Sequence, residues 1–388
     1  MELVAASGLG LKIGDRLEVA IVDRSGQVLL QKGKVVGSEA VLERLNERGF
    51  FQRHTVEEEE LSDLERLEEQ LHRESSTEGR LALLVEQIEK LLRSLVRPPS
   101  GTTWADLESV VRWLDDLFVR DQDQFIGVQQ LLAHSHTLSE RALHAAAVAK
   151  LLAVAEGLPR EAQTSLVAAA LTVDVAVVED HDDLALHPGD LLDHHKQMVA
   201  DHPVRAVELL EHIGVHDPVW MQAVEMHHER LDGSGYPRGL AGAQIPVGPR
   251  SVALADAFTA MMRPRADRPA YLAKDALREL FVGGAAKFDP RLVQLLVKQL
   301  GVYPPGTVVK LANGEVGVCV RRTNDARKPV LRAVIDPSGQ LYATPKRRDV
   351  DETASKIVEV IPADRHRNIR SLIVQLWKKD LELTESGG

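Results

Sequence analysis

Apolar positions alternate with polar ones, or form short β-branched runs, only towards the two ends of the chain; between them they recur every three to four residues. The first pattern marks strands and the second marks the buried stripe of a helix. Residues 17–22 and 28–30, joined across the turn-forming residues 23–26, predict a hairpin. Ser38 predicts the cap of a short helix that stops at Gly49. Leu61, Leu64, Leu67 and Leu71 form one stripe, and Leu81, Leu84, Ile88, Leu91, Leu92 and Leu95 form a second. Such stripes serve as packing surfaces for a neighbouring domain or as the seam of a dimerising helix pair. The Pro-Pro-Ser-Gly run at 98–101 predicts a hinge. Helices are then expected at 104–119, 139–155, 162–178, 191–213, 219–229, 251–262, 270–282 and 289–300. Beyond residue 300 the period changes. Residues 308–311 and 315–320 flank Asn313-Gly314, a strong hairpin signal. Strands at 330–335 and 341–343 and a last helix at 369–382 are expected to follow. The chain is therefore expected to be multidomain and mainly α. A small N-terminal α/β or β module (1–55) precedes a helical connector (56–100), a helical domain (101–300) and a small β appendage with a C-terminal helix (301–388).

Charge and composition narrow the function classes. The 388 residues carry 47 basic and 58 acidic side chains, a formal net charge of -11. That balance disfavours electrostatic capture of nucleic acid or an anionic membrane. Cys319 is the sole cysteine, so neither an intrachain disulfide nor a cysteine-built zinc cluster is available. The first residues lack the basic region and apolar run of a signal peptide, and no stretch is long and apolar enough to span a membrane. The expectation is a cytoplasmic protein with neither a membrane nor a nucleic-acid partner. The 15 histidines do change the picture, because many lie between His134 and His228 and histidine is both a metal ligand and a near-neutral acid or base.

Position makes those histidines informative. His202 precedes Pro203 in a helical run, and His227-His228 closes a second helix. Asp174 and Asp256 each lie in an otherwise apolar helical segment. A buried carboxylate is costly unless it caps a helix, pairs with an arginine or binds a metal. The segment His227-His228-Glu229-Arg230-Leu231-Asp232-Gly233-Ser234-Gly235-Tyr236-Pro237, with the following residues to Pro246 and the run to Asp256, resembles the signature of the HD-GYP family across roughly residues 125–300. The resemblance implies an HD-domain helical bundle and a metal-dependent phosphohydrolase, whose better-known members hydrolyse cyclic di-GMP with two or three metals, often iron or manganese. It implies that Asp174 bridges two metals, that His202, His227 and His228 hold one, and that Asp256 helps hold the other. It also makes Gly235, Tyr236 and Pro237 the loop that shapes a nucleotide cleft. Arg230, Arg238 and Arg250 are candidate phosphate contacts, since guanidinium grips phosphate bidentately, with surface ion pairs as the alternative.

The sequence also departs from that pattern. Val173 stands where the family has the histidine of its His-Asp pair, and Ala176 and Val177 replace the glycine and the phosphate-binding lysine that follow. The earlier ligand histidine falls by spacing near Glu140 or Arg141, and neither His136 nor His144 has the right offset. One divalent ion, iron, manganese or another, is expected at Asp174, His202, His227 and His228. The second is weak or absent unless Glu140 serves as a substitute ligand. The expected function is a degenerate signalling protein with a regulatory or interaction role and little phosphodiesterase activity. The alternative is a metal-dependent phosphodiesterase acting on cyclic di-GMP or a related phosphoester. A cyclic dinucleotide, a signalling-protein partner docking on the Gly-Tyr-Pro loop and a second copy of the chain are the partners considered.

Overall fold

The computed structural model describes residues 2–17, 20–24, 27–31, 33–53, 67–71, 73–96, 104–132, 137–187, 189–265 and 268–377. It divides into two compact units, Met1–Glu69 and Gln70–Gly388. In the first, strands β1 (Glu2–Ala5), β2 (Ile21–Val22), β3 (Val28–Leu30) and β4 (Phe50–Arg53) form an antiparallel sheet in the order β1-β4-β2-β3. Helix α1 (Glu39–Arg48) starts as its sequence predicts, with the Ser38 hydroxyl accepting from the Val41 amide, and stops at Gly49. Gly49 is required by crowding, because a Cβ there would lie 2.6 Å from Ile21 and 2.3 Å from the Leu45 carbonyl. Ala6, Leu17, Ile21, Val36 and Leu45 form the small core. The expected stripe residues Leu61 and Leu64, the hinge at 98–101 and part of the 17–30 hairpin lie outside the described residues.

The second unit is a helical bundle followed by a sheet. Its helices are α2 (Thr77–Val96), α3 (Trp104–Arg120), α4 (Gln122–Leu132), α5 (Leu138–Ala155), α6 (Arg160–Thr172), α7 (His181–Leu186), α8 (Asp193–His212), α9 (Pro218–Met226), α10 (Val247–Met261), α11 (Ala273–Val282) and α12 (Pro290–Leu300). The α2 stripe from Leu81 to Leu95 is buried, and the helix packs on α3, α4 and α5 within the chain. α5 is buried nearly all round, and its run of alanines lets α6 and α10 approach closely. The principal difference from the expected elements is at 162–178. That apolar run does not continue as one helix. α6 ends at Thr172, and Asp174 begins a separate 3-10 turn, Val175–Val177. The Thr172 hydroxyl accepts from the buried Trp220 indole at 2.8 Å, tying this break to α9.

Strands β5 (Val308–Leu311), β6 (Val316–Arg321), β7 (Val330–Ile335), β8 (Leu341–Arg348) and β9 (Ile357–Ile361) make an antiparallel sheet in the order β8-β7-β6-β5-β9. The predicted hairpin is β5–β6, with Val308 opposite Val318. The sheet is anchored at the start of α4: Arg321 pairs at 2.7 Å with Asp121, just before the helix, and Arg322 pairs with Asp123 in its first turn; the Trp377 indole, further along the chain, donates to Val320 O of β6 at 2.7 Å. The expected last helix is a 3-10 segment, Ala363–Leu372, followed by a single turn α13 (Ile373–Leu376); residues from 378 lie outside the described set.

Candidate functional site

The two buried histidines are oriented by the helices that carry them. Pro203 sits inside α8 and has no amide hydrogen, so the Val199 carbonyl loses its helical donor. The His202 ring takes that place, its Nδ1 donating to Val199 O at 2.7 Å. His227 stands at the C-terminal end of α9, where the last carbonyls also lack helical donors. Its Nδ1 donates to Val224 O at 2.6 Å. α9 is itself fixed at its start by Asp217, which accepts from the Val219 and Trp220 amides and from the Ser165 hydroxyl.

These two bonds decide the chemistry of the opposite ring edge. With each Nδ1 committed as a donor, each Nε2 presents a lone pair. The two Nε2 atoms face each other at 3.1 Å, both buried. Burial, and then the neighbouring His202, pushes His227 down to about 3, and burial likewise lowers His202. Both rings are therefore neutral at neutral pH and no proton bridges them. Two lone pairs converging this closely form a ligand edge suited to a cation. His228 adds a third nitrogen: the ligand atoms of His202, His227 and His228 all lie within 4.8 Å of one another. Its basicity is also well below normal, chiefly through burial. The Asp174 carboxylate lies 3.5 Å from His202 Nε2. The donor set of imidazole nitrogens and one carboxylate suits a divalent transition metal, and the Nδ1-to-carbonyl bonds are the outer support such ligands ordinarily have.

Asp256, on α10, is bridged to Asp174 by an arginine. Arg141 reaches in from the first turn of α5 and pairs with Asp174 through Nη2 and with Asp256 through Nη1, the latter at 2.5 Å. Burial alone would raise the Asp256 carboxyl, but Arg141, His227 and Arg230 hold it below the usual carboxylate range. Glu140, the expected substitute ligand, lies instead 3.8 Å from Arg263. Of the two residues that spacing allowed at this position, it is therefore Arg141 that enters the site. Val173 is buried beside Asp174. His144 is a core residue, buried, packed edge-on against Phe258 and pushed down to about 3 by burial. His134 and His136 lie outside the described residues.

The loop after the histidine pair is built from its own backbone. Gly235 has no room for a Cβ, which would stand 2.4 Å from Arg230 N and 2.5 Å from His228 O. The Tyr236 amide donates to His228 O at 3.2 Å, and its ring stacks on His228 with centroids 4.6 Å apart. Pro237 follows through a cis peptide. Burial raises the Tyr236 hydroxyl pKa, so it is a proton donor rather than an anion. Glu229 is the residue that sequence reasoning missed. Its buried carboxylate accepts from the Arg238 and Leu240 amides at 2.7 and 2.8 Å and pins the far side of the loop. An acid directly after the paired histidines was the available signal. Arg230 braces the same loop: it donates to His227 O and Glu229 O and lies over the Phe288 ring. Arg250 is engaged with Ile245 O, Gly242 O and Asp289. Of these expected phosphate contacts, Arg238 is the one with a mostly exposed side chain, 3.8 Å from Glu225.

Comparison with known proteins converges on the same segment. Residues 127–292 match the HD domain family model. The chain is 31% identical over 176 residues to cyclic di-GMP phosphodiesterase PA4108 of Pseudomonas aeruginosa, covering 45% of this chain and 41% of that protein. It is 36% identical over 154 residues to the cyclic di-GMP phosphodiesterase response regulator RpfG of Xanthomonas campestris, covering 39% and 40%. A similarity of 35% over 132 residues links it to 3'3'-cGAMP-specific phosphodiesterase 1 of Vibrio cholerae, covering 34% of this chain and 29% of that protein. The chain thus spans about two fifths or less of the length of these relatives. Among solved structures, Bd1817, a HDG"Y"P protein from Bdellovibrio bacteriovorus, shares the fold, with a TM-score of 0.50 at 15% identity over 76% of this chain and 97% of that one.

Proposed function

We propose that this chain, which belongs to the HD-GYP family, is a signalling protein that holds one divalent ion, recognises a cyclic dinucleotide and turns it over little or not at all. The observation that carries this reading is the asymmetry of the site. Three imidazole nitrogens converge beside Asp174, while Val173, the residue before it, offers no ligand atom. His202, His227, His228 and Asp174 would hold the ion, which when bound supplies Lewis acidity toward a phosphoryl oxygen. The chain's own residues do the rest. Asp174 and the two Nδ1-to-carbonyl bonds fix the ligand geometry. Tyr236 offers an aromatic face and a proton-donating hydroxyl beside the cluster. Arg238 offers an exposed guanidinium for phosphate.

Two-metal phosphoester hydrolysis uses both ions, one to generate the nucleophile and one to stabilise the leaving oxygen. Loss of one such electrostatic element costs roughly a hundredfold or more in rate. The relatives named above as phosphodiesterases favour the second reading, a metal-dependent phosphodiesterase acting on a cyclic dinucleotide. Calorimetric titration of the full chain with cyclic di-GMP and with 3'3'-cGAMP, with and without Mn²⁺, tests recognition, and chromatography of the same mixtures detects linear product. Saturable binding without product supports the first reading. Product formation that His227→Ala and His228→Ala abolish supports the second and defeats the first. Absence of any binding defeats both.

A further inference from the structure

We infer that Arg141 is a covalently tethered replacement for an ion: its guanidinium occupies the position between Asp174 and Asp256 and closes it to a second metal. The inference rests on the proposed ion at the histidine cluster, which it deepens. Arg141 stands on α5, in the region where the family resemblance puts another metal ligand, and it has not simply vacated the site. It spans the two carboxylates, one nitrogen to each. The side chain is nearly buried, as are both of its partners. Val173, also buried, offers no ligand atom where the family resemblance puts a histidine. The adjacent acid that could have rebuilt a metal site, Glu140, faces Arg263 instead.

The substitution has chemical consequences. Two carboxylates held together in a buried site require a positive charge, and guanidinium supplies it permanently, since it does not deprotonate in this range. Unlike a metal ion it has no coordination position for water and cannot generate hydroxide. Each of its terminal nitrogens is paired with a carboxylate, Asp174 or Asp256, which favours charge neutralisation over a phosphate clamp as its role. A divalent ion entering there would meet this like charge. The guanidinium thereby offsets one of the two carboxylate charges, where a divalent ion would offset both, and supplies no second metal function.

The test is a count of ions. The full chain is reconstituted anaerobically with Mn²⁺, desalted and assayed by inductively coupled plasma mass spectrometry, beside the double variant Arg141→His, Val173→His. The wild type is expected to hold no more than one ion per chain, and the double variant one more than the wild type. A wild type with no ion and a variant with one would sustain the inference while removing the one-ion reading above. Two ions in the wild type, or an unchanged count in a folded variant, would overturn the inference. Should the variant not fold by circular dichroism, manganese anomalous scattering from wild-type crystals decides. A peak confined to His202, His227 and His228 supports the assignment, as does the absence of any peak between Asp174 and Asp256. A peak between those two carboxylates contradicts it.

Discussion

At the scale of single residues, the site is decided by which hydrogen bonds are already spent. Pro203 frees the Val199 carbonyl, His202 takes it, and the Nε2 edge is left as an acceptor facing His227. Arg141 is decisive for the same reason, since its two terminal nitrogens are committed to opposing carboxylates. Two unit charges 4 Å apart interact by about 4 kcal/mol at an effective dielectric near 20, and a divalent ion would feel about twice that repulsion from a guanidinium. Gly235 is a third such residue. Because its missing Cβ would collide with backbone atoms of Glu229, Arg230 and His228, no side-chain rearrangement can relieve the crowding. Gly235→Ala is expected to lose about 1–3 kcal/mol of stability and to move the Tyr236 ring off His228. Urea denaturation followed by tyrosine-specific NMR checks both; an unchanged midpoint and unchanged ring shifts would contradict the close-approach account.

At the scale of elements, periodicity carried most of the prediction. The buried stripe of α2, the helices of the bundle and the β5–β6 hairpin follow from spacing that has one physical solution. The break at Asp174 was not legible, because residues 166–178 are apolar apart from Thr172 and Asp174 and contain no Gly or Pro. The helix stops there in a tertiary setting, with Thr172 bonded to Trp220. Arg141 was legible only as one of two residues at the right spacing; nothing local tells whether its side chain faces solvent or the bundle interior. β9 was missed for a related reason, since its pairing with β5 spans some fifty residues. The β5–β6 turn carries its own prediction. The buried Glu315 carboxylate is bonded by Arg348, Tyr342 and Asn313, and these bonds, with Arg348 first, lower it to about 2 from 4.5. The unfolded chain therefore binds more protons than the folded one between those values. The contribution is complete above pH 4.5 and is lost as pH falls through 2. In Glu315→Gln the acid side of the stability profile should be flatter in that window, as read by denaturation across pH. An identical slope would exclude Glu315 as its source.

At the scale of the whole molecule, the candidate site and the sheet belong to one compact unit, Gln70–Gly388, with the sheet anchored at the start of α4 by Arg321 and Arg322. Among the described residues no helix is long and apolar enough to cross a membrane. The histidine motif was the most legible functional signal in the chain, because three candidate ligands and the glycine-rich loop lie in short, distinctive segments. The departure from the pattern that the resemblance implies was also visible at Val173. What the sequence alone left open, and the fold supplies, is the guanidinium between the two aspartates. The most direct test of the central claim is a single-turnover assay, with Mn²⁺-loaded full chain in excess over radiolabelled cyclic di-GMP. Bound but uncleaved nucleotide after many hours is the predicted result. Linear product that disappears in His227→Ala would contradict it.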